Sequence, residues 1–397
     1  MTLAWAEANG ADASRGVYLR SFGAHAMKIP FAGAIDCDLH PAVPDVAALM
    51  PYLDAFWREH LAERYIDQSP FTLASYAPQL PQSARRDWRP PKGVPGADLD
   101  ALRSHALNAF GTRLAIANVL HGAVALFNAD MAAALCKAVN KWLVREWLDR
   151  EPRLRASIVV PPQDADLAVA EIERCASDQR FVQVLLLVMG DRPLGHRTYW
   201  PIYRAAERHG LPIGVHAGST FRHAPTGSGW PSYHLEDSIL QSSAFEDTVV
   251  SFLAEGVFQK FPGTKLVLME SGFSWLPTLL WRTNRSWRGV RTEVPWIDRP
   301  PADIVRDHVR FTLQPLDVPN AEVLNRVMDH VGSDELILFS TDYPHWQFDG
   351  DDVLPEGLSD AMLRRILVDN PLATYPRLRA DAAADQKRAA MREELPP

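Results

Sequence analysis

Eight short apolar runs punctuate the chain: Ala34–His40, Arg113–Leu120, Leu154–Val160, Phe181–Val188, Pro212–His216, Lys265–Glu270, His308–Gln314 and Leu336–Asp342. They are rich in Val, Ile and Leu, and their near-continuous hydrophobicity predicts strands covered on both faces. Between most of them the spacing is helical, as in Ala129–Arg150, Asp164–Asp178, Tyr199–Gly210 and Ser242–Phe261. Gly210 followed by Leu211-Pro212 reads as a helix stop and a strand start, and Phe261-Pro-Gly263 repeats that punctuation. Eight strands alternating with helices predict a (β/α)8 barrel, which carries its chemistry at the C-terminal strand ends. The competing doubly wound sheet usually shows a Gly-rich nucleotide loop, and no such motif occurs here.

The interval between the first and second runs is far longer than the others. It predicts an insertion over 64–110, in which Ser69–Gly96 holds six prolines; long Pro-rich loops of this kind serve as lids or oligomer contacts. A second irregular stretch, Gly218–Pro231, follows His216 directly and is expected at a pocket rim. The resulting plan is an N-terminal extension over 1–31, a barrel over 32–376 and a C-terminal tail over 377–397.

Three of the predicted strands end on metal-ligand types. Asp38 and His40 are two apart and so share one face of the first strand, the fifth run stops at His216, and the eighth stops at Asp342. Two imidazoles and two carboxylates at the mouth of a barrel form a set that holds a divalent ion, lowers the pKa of bound water and polarises a substrate oxygen. Any one of them alone is more simply a hydrogen-bonded core residue; the coincidence at three strand exits favours the metal. Mixed nitrogen and oxygen donors suit Zn, Mn or Fe, with zinc as first choice and one ion as the default. Asp36 shares the Asp38 face one layer deeper, where a buried hydrogen-bonding role is expected. His121 and Gln314 follow other strand ends as weaker pocket candidates, Trp275 reads as helix packing, and His196, His223 and His234 read as surface residues.

Composition narrows the partners. With 41 basic against 49 acidic residues and a net charge of −8, a nucleic-acid partner is not expected. Cys37, Cys136 and Cys175 form no Cys-x-x-Cys pair, so neither a disulfide framework nor a thiolate zinc site is expected, and a reducing cytoplasm fits. The first thirty residues lack the apolar core of a signal peptide. The most apolar stretches, Val182–Met189 and Leu114–Phe127, fall short of the roughly 20 residues that cross a bilayer, so no membrane association is expected.

The segments Ile35-Asp-Cys-Asp-Leu-His40, the strand ending at His216, Val267-Leu-Met-Glu-Ser-Gly272, Thr341-Asp-Tyr-Pro-His345 and Asn370-Pro-Leu-Ala-Thr-Tyr375 resemble the amidohydrolase superfamily. The branch most similar contains aminocarboxymuconate semialdehyde decarboxylase and the aromatic-acid decarboxylases. The resemblance implies a barrel with Asp38, His40, His216 and Asp342 as ligands of a divalent metal, a small organic acid or ester as substrate, and a homodimer. Many members begin with His-x-His, where this chain has Asp38-x-His40, a variant that also occurs among the decarboxylases. Several relatives place a catalytic His at the strand-six exit, where this chain has Glu270. The fourth run contains no Lys for a carboxylated bridge between two metals, although Glu270 could bridge a second ion or, alternatively, orient His216. Asp342, Glu270 and His345 are the candidate catalytic residues, Asp342 and Glu270 as proton acceptors and His345 as a donor to substrate or a loop cap. The Glu270 departure favours hydrolysis of an ester, thioester, amide or lactone by metal-activated water, with non-oxidative decarboxylation of a hydroxylated aromatic or dienoic acid as the alternative.

Overall fold

The computed structural model describes residues 33–66, 84–345 and 353–381. Eight parallel strands follow one another in chain order: β1 (Ile35–Leu39), β2 (Leu114–Ala117), β3 (Leu154–Val159), β4 (Phe181–Met189), β5 (Ile213–Ser219), β6 (Leu266–Met269), β7 (Val309–Thr312) and β8 (Ile337–Leu338). Hydrogen bonds from the Cys37 amide to the Phe339 carbonyl, from His40 to Tyr343 and from Asp342 to Asp38 join the last strand region to the first. The fold is a (β/α)8 barrel. Almost every strand residue is buried, as expected of strands walled by helices outside and packed side chains within.

The helices between strands have local causes. Asn128 and Asp164 accept hydrogen bonds from the first free amides of the Ala129–Leu143 and Ala165–Cys175 helices. The Trp200–Arg208 helix ends as its sequence predicts: Gly210 adopts φ 64° and the Leu211 amide reaches back to the Ala206 carbonyl. Two boundaries differ from the sequence pattern. The helix expected from Ser242 starts eight residues earlier, at His234, because Glu236 accepts hydrogen bonds from the Ser232 and Tyr233 amides and so caps a turn of polar composition. The eighth strand is only two residues long, because beyond Leu338 the chain is held by side chains: the Ser340 hydroxyl accepts from the Gln314 amide, and Thr341 is bound to Asp36.

Asp36 has the deeper structural role expected of it. Its carboxyl accepts from the amides of Asp38 (3.1 Å) and Thr341 (3.1 Å) and from the Thr341 hydroxyl (2.6 Å), tying the exit of β1 to that of β8. Burial pushes this carboxyl up to about 7, against the pull of those donors.

Part of the long insertion lies against the barrel mouth. The Arg85 amide donates to the Pro344 carbonyl, the Ala42 amide donates to Gly96, and Trp88 packs on Tyr343 with ring centroids 5.0 Å apart. Gly96, at φ 80°, sits where a Cβ would come within 2.5 Å of the His40 carbonyl, so only glycine allows that approach. Residues 67–83, which include much of the Pro-rich stretch, lie outside the described residues, as do 1–32 and 382–397. The described start of the tail docks: Leu378 is buried, and Arg377 donates to the carbonyls of Ala176, Asp178 and Phe181. Among the described residues no helix is long and apolar enough to cross a membrane, and all three cysteines are buried and free.

Replacing Thr341 with Val removes a donor from the buried Asp36 carboxyl at nearly constant shape. Urea denaturation is expected to show a loss of about 1–3 kcal/mol; an unchanged midpoint would mean that the Asp36 tie does not hold the two strand exits together.

Candidate metal centre

Four strand exits bring six side chains into one cluster at the C-terminal end of the barrel. The chain after β1 contributes His40 above Asp38, β5 contributes His216, the residue after β6 is Glu270, and the turn after β8 brings Asp342 and His345. Both Glu270 and Asp342 have a positive φ of 55°, a conformation that bulky L residues rarely hold unless the surroundings impose it. At each position the backbone bends out of the strand direction as the side chain enters the cluster.

Two overlapping groups of ligand atoms result. Asp38, His40, His216 and Glu270 each offer an atom, all within 4.8 Å of one another, and so do His40, Glu270, Asp342 and His345. His40 Nε2 lies 3.3 Å from Asp38 Oδ1 and 3.2 Å from Asp342 Oδ1, and His216 Nε2 lies 3.2 Å from Glu270 Oε1 and 3.7 Å from Asp38 Oδ2. Donor atoms bonded to one ion at ~2.1 Å stand roughly 3.0–3.5 Å apart, so these spacings fit a shared cation. The structure divides the four predicted ligands between these groups, with Asp38, His40 and His216 in the first and Asp342 in the second, and Glu270 and His40 belong to both.

The imidazoles are set for coordination. The Nδ1 of His40 lies 2.9 Å from the Asn118 carbonyl and that of His216 lies 2.6 Å from the Ala217 carbonyl. A carbonyl only accepts, so both Nδ1 atoms carry the proton and both Nε2 atoms point bare into the cluster when the ring is neutral. His40 Nε2, His216 Nε2, Asp38 Oδ2 and Asp342 Oδ2 are buried without a hydrogen-bond partner. Buried polar atoms are rarely orphaned, and four within one cluster of acids and imidazoles fit a divalent-metal site. Glu270 approaches His216 from the Nε2 side, whereas a carboxylate that only oriented the ring would bind at Nδ1, which the backbone already occupies.

The electrostatics are those of acids and imidazoles crowded out of water. Burial pushes Asp38 up to about 6, with Glu270 adding to the rise. Burial and the Glu270 charge hold Asp342 well above the usual carboxylate range. For His216 burial opposes the charge, but the Glu270 and Asp38 carboxylates outweigh it and raise the ring to about 9. His345 is raised likewise by Asp342 and Glu270 against burial, its Nδ1 lying 2.6 Å and 2.8 Å from their oxygens. His40 goes the other way, lowered by burial and by the neighbouring rings, of which His345 stacks on it with centroids 4.4 Å apart.

Sequence reasoning missed the support beneath this cluster. Asn118, which interrupts the apolar β2 run, donates to Asp38 Oδ1 at 2.7 Å while its carbonyl fixes His40. Its side-chain oxygen accepts from Ser157 and from Gln183 (3.2 Å), and the Tyr375 hydroxyl donates to Gln183 at 3.2 Å. Gly214 makes room for this amide, since a Cβ there would meet Gln183 Cδ at 2.5 Å. A polar residue inside an otherwise apolar strand was the available signal.

The cluster forms part of the lining of a cavity of about 560 Å³, whose other walls include Val43, Val94, Leu120, Phe221, Trp275 and Leu316. Gly218 and Ser219 line it, as expected of the rim. Trp275 does so while its indole donates to Ser271 and its ring packs edge-on against Phe311. His121 lines the cavity too, with its Nδ1 accepting from the Ala123 amide. Gln314 is turned away, bound to Val353 and Leu316. His234, read from the sequence as a surface residue, is exposed and also lines the cavity.

The family model described as Amidohydrolase matches residues 35–377. The chain belongs to the amidohydrolase family. Among similar proteins within that family, the gamma-resorcylate decarboxylase of Rhodococcus jostii (strain RHA1) is 26% identical over 237 residues, which cover 54% of this chain and 68% of the relative. The enzyme of the same name from Rhizobium sp. (strain MTP-10005) is 24% identical over 274 residues, 64% and 79% of the two chains. Among solved structures, 5-carboxyvanillate decarboxylase from Sphingomonas paucimobilis superposes with a TM-score of 0.63 at 18% identity, over 87% of this chain and 99% of that one. A dihydroxybenzoic acid decarboxylase from Polaromonas sp. JS666, with bound manganese and 2-nitroresorcinol, gives 0.61 at 20% identity, over 87% and 97%.

These relatives overturn the expectation of a hydrolase, since they are named as decarboxylases. That expectation rested on Glu270 replacing a strand-six histidine, and the geometry removes its basis. His345, from the β8 turn, stands 2.8 Å from Glu270 and stacks on His40, so a third imidazole joins the cluster beside Glu270.

Two outcomes are expected of metal binding. His216 must lose the proton that Glu270 and Asp38 hold on it below about pH 9, so manganese binding at pH 7.5 is expected to release about one proton and to tighten as pH rises. Calorimetry in buffers of different ionisation enthalpy reads this directly, and a slope of zero excludes His216 as a ligand. Asn118→Leu is expected to weaken manganese affinity about 10–100-fold without unfolding the barrel; wild-type affinity in a folded variant would remove Asn118 from the site's support.

Proposed function

We propose that the protein is a metal-dependent, non-oxidative decarboxylase of a hydroxylated aromatic acid, with Asp38, His40, His216 and Asp342 as the ligands of one divalent ion. Two kinds of observation support this reading. The similar proteins named above act on dihydroxybenzoates and on carboxyvanillate, and the site pairs a buried carboxyl with an imidazole at the cavity wall. The Asp342–His345 contact of 2.6 Å carries the proposal, because decarboxylation needs one proton delivered to carbon and no activated water.

A divalent ion bound there supplies a Lewis acid for the carboxylate and phenolate oxygens of the substrate. The residues supply the rest. His345, raised above the usual imidazole range by Asp342 and Glu270, carries the proton, and Asp342, whose Oδ1 lies 2.6 Å from the His345 Nδ1, orients the ring. As the bond between ring carbon and carboxyl carbon breaks, its electron pair stays on the ring carbon, which takes that proton, and carbon dioxide leaves. Solvent then returns a proton to the Asp342–His345 pair. Glu270 keeps its charge through His216 and His345, which holds His345 cationic and available as a donor. Manganese, which a similar structure contains, and zinc, which the donor types equally suit, are the ions to load.

Protein reconstituted with manganese or zinc is expected to release carbon dioxide from a member of a panel of mono- and dihydroxybenzoates, and in heavy water to place one deuterium at the vacated ring position. His345→Asn is expected to lower kcat about 100-fold or more with metal content retained. Oxygen-18 entering the aromatic product from labelled water, or no carbon dioxide from any panel member with either ion, refutes the proposal.

A further inference from the structure

One oxygen of Glu270 serves three imidazoles: its Oε1 lies 3.2 Å from His216 Nε2, 2.8 Å from His345 Nδ1 and 3.7 Å from His40 Nε2. A carboxylate shared this closely loses contacts if it shifts, so its backbone has to be fixed. Yet Glu270 stands at φ 55°, and Gly272, two residues on, at φ 60°. A glutamate does not keep a left-handed backbone unaided. Groups outside the β6 exit must hold this bend.

Those groups come from β7 and the loop that follows it. On one side of the bend, the Glu270 amide donates to the Thr312 hydroxyl at 3.2 Å. On the other, Asp317 at the cavity wall gathers the turn. Its Oδ2 accepts from the amides of Phe273 (3.0 Å) and Ser274 (2.9 Å) and from the Ser274 hydroxyl (2.7 Å). A Cβ on Gly272 would stand 2.4 Å from that same oxygen, so the carboxylate reaches both amides only because residue 272 is glycine.

Asp317 is itself on a fixed base. Gln314, three residues before it, donates its amide to the Ser340 hydroxyl (2.9 Å) and its side-chain nitrogen to the Val353 carbonyl (3.0 Å), and it accepts from the Leu316 amide (3.1 Å). Nor is the carboxylate a helix cap. The next helix, Leu276–Val290, has no side chain capping it, and the Leu276 amide is already bonded to the Phe273 carbonyl. All three donors to Asp317 belong to the turn between Glu270 and that helix.

We infer that Asp317 is a positioning residue of the metal centre: by binding the Phe273–Ser274 turn it sets the Glu270 carboxylate against His216 and His345. It acts through Glu270 and not through the stability of the barrel. The inference rests on the metal centre of the proposed function and not on which reaction that centre performs.

The test is a double-mutant cycle on the full chain. Manganese affinity is read by calorimetry, or zinc affinity against a competing chelator, with the urea midpoint measured alongside. Asp317→Ala is expected to weaken metal binding about tenfold or more in the wild-type background, and no more than about twofold where Glu270→Gln is already present. Asp317→Asn, whose side-chain oxygen still accepts from the turn, is expected to bind within about threefold of wild type. Where Asp317→Ala does not fold, Ser274→Ala removes one donor and keeps the carboxylate; its expected loss is about threefold, again absent beside Glu270→Gln. An undiminished loss in the Glu270→Gln background, wild-type affinity in Asp317→Ala, or an Asp317→Asn variant as weak as Asp317→Ala overturns the inference. A wild-type chain that binds neither metal overturns it together with the metal centre. The expected cycle in a chain that releases no carbon dioxide upholds it while the decarboxylase reading fails.

Discussion

Three carboxylates and three imidazoles are pressed together at the open end of the barrel, and charge compensation there governs the surrounding structure. At about 4 Å two like charges repel by roughly 4 kcal/mol in a medium of effective dielectric 20, more than a typical net hydrogen bond returns. The described protein meets this by shifting protons: His216 and His345 are raised above the ordinary imidazole range, Glu270 is lowered below the carboxylate range and Asp342 is raised above it. A divalent cation would do the same work with fewer protons. Closing the cylinder through Asp36 and Thr341, anchoring Asp38 on Asn118, and placing Ser157 and Gln183 beneath it all fix the positions of groups that would otherwise move apart.

How much of this could be read along the chain depends on the range of the interaction involved. The strands were legible because burial on both faces leaves an unbroken apolar run, and the ligands at their ends because strand period and barrel topology together place them. Asn118 was not legible as a support, since an amide inside an apolar stretch gives no sign of which strand it will reach. The start of the His234–Ala254 helix was hidden for another reason: its first turns face a cavity rather than the core, so the apolar period that identifies a helix begins only where core packing does.

The reaction class was misread through a similar limit. Taken strand by strand, Glu270 reads as the loss of an imidazole. Space imposes no such bookkeeping. The turn after β8 brings His345 to the same oxygen that β6 supplies, so one strand's exit makes up for another's, and only the contact between them shows it.

The left-handed backbone at Glu270 and Asp342 carries an implication for how such a centre can drift. A β-carbon there costs conformational energy that glycine, and to a lesser degree asparagine, would spare. Sequence change at these two bends is therefore pulled by foldability toward small residues and by chemistry toward acids. The tension is greater at Glu270 than at Asp342, since aspartate is among the residues that tolerate a left-handed backbone.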